Sequence, residues 1–190
     1  MVRLIELFQK YAGWKVLSHF LSNPAEAFYI KELARLLKLS PSTVLKAVED
    51  FEREDLLRKE IRGLGHYYSL NLAHCAVPPL KRAYGLAFVL SANPVARLRE
   101  ADPTIISLAL YGSYASGSFD DRSDIDLLAI THADKTKLVP PVMAIEGFLG
   151  KEVNISAFRL SEWKSLSDEG DAFYRSVMGN HVTLYGSDLI

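Results

Sequence analysis

The chain has 190 residues, 49% of them apolar, and its 22 Lys/Arg nearly balance 23 Asp/Glu for a net charge of -1. That composition excludes a disordered or fibrous chain, and no apolar run approaches the roughly 20 residues of a membrane span. The single cysteine, Cys75, excludes an intrachain disulfide and a cysteine metal cluster, and with an early acid in Met1-Val2-Arg3-Leu4-Ile5-Glu6 it predicts a cytoplasmic protein without a signal peptide.

The charge is uneven along the chain. Residues 1–100 hold 15 Lys/Arg against 10 Asp/Glu, and residues 101–190 hold 7 against 13. A basic first half suits a polyanion, and an acidic second half suits a metal site. Leu4, Leu7, Phe8 and Tyr11, then Val16, Leu17, Phe20 and Leu21, recur at helical spacing. Gly13 predicts a break between two helices, and Ser22-Asn23-Pro24 a stop. Phe28-Tyr29-Ile30 predicts a short strand. Leu33, Ala34 and Leu37 then share a helical face, and Leu39 fills a turn. Ser40 stands as an N-cap with Pro41 at the first helical position, and Val44, Leu45, Val48 and Phe51 form the stripe of a second helix. Leu56 to Ile61 and Tyr67 to Leu70 flank Arg62-Gly63-Leu64-Gly65-His66, a hairpin with a basic, glycine-containing tip.

Two short helices across a tight turn, followed by a hairpin, resemble a winged helix-turn-helix domain over residues 1–73. The resemblance implies that Ser42, Thr43 and Lys46 enter a major groove while Arg58, Lys59, Arg62 and His66 meet the phosphates of DNA or RNA. Such a module also serves protein interaction or dimerisation. Glu49, Asp50, Glu52, Glu54 and Asp55 crowd the end of the second helix with charge that repels nucleic acid.

Residues 74–101 read as a helical connector, with Pro78-Pro79, a helical run from Leu80 to Leu90 and a break at Asn93-Pro94. Asp102-Pro103 precede an apolar strand, Ile105 to Tyr111. Gly112-Ser113-Tyr114-Ala115-Ser116-Gly117 turns the chain. After a loop, Ser123-Asp124-Ile125-Asp126-Leu127-Leu128-Ala129-Ile130 returns as a second strand. Strand side chains alternate, so Asp124 and Asp126 face the same way. Paired carboxylates repel unless a cation lies with them, and a Gly-Ser turn offers N–H groups and a hydroxyl to phosphate oxygens. Beyond lie a polar loop from Thr131 to Lys137, a helix Val142 to Leu149 opened by Pro140-Pro141, and a strand Val153 to Phe158. A helix capped by Ser161, a helix Asp171 to Met178 and a closing strand Val182 to Gly186 complete an α+β domain with a mixed sheet.

The run of apolar strand, Gly112-Ser113, spacer and Asp124-Ile125-Asp126 resembles the DNA polymerase β nucleotidyltransferase superfamily, its minimal members above all, over residues 102–190. The resemblance implies transfer of a nucleoside monophosphate from a nucleoside triphosphate to an acceptor. Asp124 and Asp126 would hold Mg²⁺, or Mn²⁺ in its place. Gly112 and Ser113 would grip phosphates, and the Ser123 hydroxyl would fix the turn. Two positions depart from the family pattern. Asn154 stands where a third acid is expected, leaving Glu152, two residues earlier, as the substitute catalytic acid beside Asp124 and Asp126. Ser116 stands where the family has an arginine. The implied partners are a nucleoside triphosphate, nucleic acid at the winged helix, and a second copy or a toxin-type protein, with no membrane. The competing reading is a DNA-binding transcriptional regulator whose degenerate transferase domain senses nucleotide.

Overall fold

The computed structural model describes residues 3–189; Met1, Val2 and Ile190, the first two in the stretch read against a signal peptide, lie outside them. The chain forms two compact units, Met1–Ala87 with Phe119–Asp121, and Phe88–Ser118 with Arg122–Ile190.

In the first unit the order is α1 (Leu4–Lys10), α2 (Ala12–Ser22), β1 (Ala27–Tyr29), α3 (Ile30–Leu37), α4 (Pro41–Arg53), β2 (Leu57–Arg62) and β3 (Gly65–Leu70). The break between α1 and α2 falls at the extended Tyr11 and not at Gly13, which is taken into the first turn of α2. The start of α4 follows the sequence reading. The Thr43 N–H donates to Ser40 Oγ at 3.1 Å, and Pro41 opens the helix. A serine cap satisfies a donor that the first turn leaves unpaired. The strands form an antiparallel sheet in the order β1-β3-β2. Val16, Leu17, Phe20, Phe28, Leu33, Val44, Val48, Leu57 and Tyr68, from α2 to β3, belong to one buried core.

A helix α5 (Val77–Ser91) contains the division between the units. The second unit continues with α6 (Pro94–Ala101), β4 (Ser107–Tyr111), α7 (Gly112–Ser116), β5 (Ile125–Ile130), α8 (Val139–Leu149), β6 (Val153–Phe158), α9 (Leu160–Asp168), α10 (Ala172–Gly179) and β7 (His181–Gly186). The sheet order is β6-β5-β4-β7, with β5 and β6 parallel across the α8 crossover and the other pairs antiparallel. Ala109, Leu128 and Ile130 on one face pack with Trp163 of α9 and Val177 of α10. Leu108, Leu110, Ile125 and Leu127, on the other parity, are fully buried too, as strands covered on both faces require.

Further boundaries differ from the sequence reading: Ile30, read into a strand, opens α3, and α5 starts at Val77 and not Leu80. The segment predicted as loop after Thr131 contains a 3₁₀ turn, Lys135–Leu138, because Asp134 caps it by accepting the Thr136 N–H at 2.8 Å. The following helix therefore starts at Val139. Ser161 is not the cap of α9. Arg159 holds that position, and the Glu162 carboxylate accepts the Arg159 N–H at 2.8 Å.

Asp102, buried between α6 and β4, ties the entry to β4 to the exit from β5. Its carboxylate accepts the Thr104 N–H at 2.9 Å, the Thr104 hydroxyl at 2.6 Å and the Thr131 hydroxyl. Burial works to raise its pKa, but these hydrogen bonds outweigh burial and hold it below the ordinary carboxylate value. A folded-state pKa that is depressed contributes stability above the unfolded pKa and loses it as the pH falls through the folded value. Thr131→Val removes one charge-assisted hydrogen bond and costs about 2 kcal/mol at neutral pH. In denaturant titrations the gap from wild type should be full at pH 7 and close as the pH drops below about 4.

Candidate active site

β4 passes into α7 without a loop, Tyr111 serving as its last residue and as the N-cap of α7. Gly112 takes φ of +70°, and a Cβ there would lie 2.3 Å from Asp126 Oδ2. The glycine thus supplies a left-handed backbone and leaves room for a carboxylate against it. Gly117, at φ +81°, ends α7. The N–H groups of Gly117 and Ser118 both donate to Ser113 O, at 2.9 and 3.0 Å. The Ser116 hydroxyl donates to Ser113 O at 3.0 Å and lies 2.7 Å from Ser118 Oγ. The residue that replaces the expected arginine is therefore engaged inside the turn.

Asp126 is the second residue of β5, in register between Tyr111 of β4 and Asn154 of β6. It is half-buried. Burial pushes its pKa up and the charge of Asp124 pushes the same way, against a hydrogen bond from the Asn154 side chain, and the net shift is upward. Asp124 and Ser123 are half-buried just before β5. Tyr111 closes one flank: its hydroxyl lies 3.2 Å from Ser156 Oγ and its ring meets Phe173 edge-on at 5.6 Å. Burial raises the Tyr111 pKa, so the phenol is no base at neutral pH.

Gly112, Asp126 and Asn154 come together, Ser113 follows Gly112 in the turn, and Asp124 is near enough to act on Asp126 through its charge. Glu152 stands one residue before β6, exposed, with its carbonyl accepting the Ile125 N–H at 3.0 Å. Among the described residues no three Asp, Glu, His or Cys side chains gather as a metal group. The hydrogen bond from Asn154 to Asp126 escaped the sequence reading. No local pattern signals it, because the parallel pairing of β5 with β6 is what sets residue 154 beside residue 126.

In the first unit, Ser42 and Thr43 belong to the hydroxyl cluster that caps α4, with Ser40 Oγ 2.9 Å from Ser42 Oγ and 2.7 Å from Thr43 Oγ1. Lys46 is exposed one turn on. The hairpin divides its cations. Arg58, Glu60 and Arg62 share one face, where Arg62 pairs with Glu60 at 2.8 Å and lies over the Tyr67 ring. Lys59 lies on the other, with Ile61 and its register partner His66, over the Tyr68 ring.

Residues 95–179 match the family model of the nucleotidyltransferase domain. The match runs from α6 to the end of α10 and takes in every residue of the Gly112–Asp126–Asn154 cluster. No curated protein matches the chain. Among solved structures, a toxin-antitoxin with AMP-PNP is similar at 19% identity over 52% of this chain and 76% of that one, with a TM-score of 0.40. A Sulfolobus solfataricus protein named as a candidate nucleotidyltransferase is similar at 17% identity over 61% and 93%, with a TM-score of 0.35. The Shewanella oneidensis complex of a tri-AMPylated HEPN toxin with MNT antitoxin gives 17% identity over 53% and 73%, with a TM-score of 0.36. Likenesses of this strength carry no argument about activity.

Two glycine substitutions separate the site from ordinary helix. Gly112→Ala forces a strained backbone and a clash with Asp126, and should cost about 2–3 kcal/mol by thermal melting. Gly147→Ala, inside α8 with nothing within 4 Å of the added carbon, should stabilise by up to about 1 kcal/mol.

Proposed function

We propose that the second unit binds a nucleoside triphosphate with Mg²⁺ and transfers its nucleoside monophosphate to an acceptor, and that the first unit is a winged helix holding nucleic acid. One observation carries the reading: the Asp126 carboxylate is seated against the backbone of the Gly112-Ser113 turn, so phosphate donors and metal-type oxygens share one place. The donor set fits the ion. Two carboxylates and an amide oxygen are hard ligands, and a carboxylate pKa raised by burial and by a like charge is one that a cation relieves. When bound, Mg²⁺, or Mn²⁺, would supply charge neutralisation on the phosphates. Gly112 and Ser113 offer N–H groups and a hydroxyl to the terminal phosphates, and Ser123 steadies the entry to Asp124. The chain then holds the triphosphate still while the acceptor approaches, which is most of what such catalysis asks of a protein.

Asn154 favours a second reading. An amide cannot take the acceptor's proton, so a domain with Asn154 in the family's acidic position can bind nucleotide without turnover and act as a sensor within a regulator. One experiment separates the two. The protein is incubated with four α-³²P-labelled nucleoside triphosphates, Mg²⁺, cellular RNA and cellular protein. Transfer predicts label on one of these fractions, or on the chain itself, and none with Asp124→Ala. Restoring a base by Asn154→Asp should then raise the rate by roughly 10²-fold or more, while Glu152→Gln lowers it if Glu152 serves as the substitute. Nucleotide binding without label in both wild type and Asn154→Asp leaves the sensor reading. A label on a protein fraction would identify a partner, and a toxin-type protein is one expected result.

For the first unit, duplex DNA affinity should fall steeply with salt. Arg58→Ala and Lys46→Ala should each reduce the salt slope by about 1, as filter binding from 50 to 200 mM salt would read. A flat salt response would remove nucleic acid as the ligand of this unit.

A further inference from the structure

The far end of β5 opens on a second cleft, within the second unit. Asp126 stands near the start of that strand, and Thr131 lies just past its end, roughly 16 Å further along an extended chain. A cavity of about 280 Å³ opens there. Thr131, Asp134 and Lys135 line it from the connection after β5, and Phe158, Arg159 and Glu162 from around the end of β6. The topology explains why a cleft forms at this place. β5 and β6 are parallel neighbours, so both end at the same edge of the sheet. The chain leaving β6 enters α9, whose Trp163 packs with Leu128, Ile130 and Phe158 on one face. The chain leaving β5 runs into α8, whose buried Val142 and Ile145 stand outside that cluster, on the opposite face. Adjacent parallel strands whose connections part in this way leave a crevice beyond their carboxyl ends, a general place for ligands.

Four charged side chains line the crevice, two of each sign. Thr131 makes the back wall and is already engaged: its hydroxyl donates to Asp102 and accepts the Ala133 N–H at 3.1 Å. Asp134 accepts the Thr136 N–H and Glu162 accepts the Arg159 N–H, each at 2.8 Å. A carboxylate takes up to about four such bonds, so both acids keep capacity. The hydrogen bonds from the Thr136 N–H and hydroxyl, with the charges of Lys137 and Arg159, hold the Asp134 carboxyl below its ordinary range. It is therefore ionised at neutral pH. The Lys135 ammonium lies 5.3 Å from the centre of the Phe158 ring. The Arg159 guanidinium is exposed and makes no ion pair among the described residues. Buried Ala157 and the half-buried Phe158 ring supply an apolar floor.

The mixture of signs selects the ligand. Phosphate, or any compact anion, would gain Arg159 and Lys135 but meet two carboxylates in the same small space. A simple cation would meet the reverse. A molecule carrying both charges a few bonds apart gains from all four, and each contact is a charge-assisted hydrogen bond. We infer that this crevice binds a small zwitterion of the amino-acid type, its carboxylate held by Arg159 and Lys135, its ammonium by Asp134 and Glu162, and its side chain laid against Phe158 and Ala157. The site shares no residue with the Gly112–Asp126–Asn154 cluster and stands independently of the nucleotide reading.

The test uses the full chain. Each of the common amino acids is screened by saturation-transfer difference NMR, and those that bind are titrated by calorimetry, with acetate, ethylammonium and inorganic phosphate as control probes. One or a few amino acids should bind at least about tenfold more tightly than any control. Arg159→Met keeps the chain length, removes the guanidinium and should weaken binding about tenfold or more. Asp134→Asn keeps the acceptor for the Thr136 N–H, removes the charge and should weaken it by a similar factor. Lys135→Met takes the place of Arg159→Met if the latter does not fold by circular dichroism. Asp126→Asn, at the other end of the strand, should leave the affinity unchanged. Failure of every amino acid to bind overturns the inference. Phosphate or acetate binding as tightly as the best amino acid overturns it too, by making the crevice an anion site. Affinity that survives both Arg159→Met and Asp134→Asn, or that is lost with Asp126→Asn, places the ligand elsewhere and overturns it as well.

Discussion

The site depends on the approach of a carboxylate to a backbone that has no side chain. Asp126 Oδ2 occupies the space a Cβ on Gly112 would take. Only glycine offers that space at a positive φ without strain. The consequence is electrostatic as well as steric. A carboxylate in such a seat has water on few sides, and the charge of Asp124 adds to the cost of ionising it. A free acid in that position is uncomfortable by construction, and sites that bind cations or react are commonly built this way.

Asn154 is what keeps that discomfort bounded. The parallel pairing of β5 and β6 makes residue 154 the side-by-side neighbour of Asp126. An amide there donates to the carboxylate and lowers its pKa, where an acid would have added a third like charge. The substitution therefore trades a base for a donor. It makes the cluster easier to sustain without a cation, and an amide cannot accept a proton. These two effects follow from one change of atom, and they explain why binding and turnover separate as readings at this position.

Much of this was legible from residues and spacing. The serine cap at Ser40, the helical stripe of Val44, Val48 and Phe51 (though not Leu45, which is exposed), the hairpin around Gly63 and Gly65, and the strand-turn-strand around Gly112 all rest on local chemistry, and local chemistry is what a sequence displays. What it displayed poorly was pairing. Nothing near Asn154 announces that its amide will meet Asp126, because that contact is set by the crossover through α8. Nothing near Lys81 announces that its ammonium will donate to the Phe119 carbonyl, 38 residues on. The cap of α9 was misplaced for a smaller reason. Ser161 is a better cap by type, but the Glu162 carboxylate reaches back to the Arg159 N–H and starts the helix earlier.

The hairpin of the first unit shows the same limit from another side. Counted along the chain, Arg58, Lys59, Arg62 and His66 look like one basic edge. A strand alternates, so neighbours in sequence point apart. Arg58 and Arg62 lie on one face with Glu60 between them, and Arg62 is already paired with that acid. Lys59 and His66 lie on the other, whose inner end is Leu57, Tyr68 and Leu70 of the core. A phosphate backbone crossing the hairpin meets one face at a time and so finds fewer cations than the count suggests. If this unit holds nucleic acid, the start of α4 with Lys46 must supply much of the contact, and the hairpin a grip on one side of it.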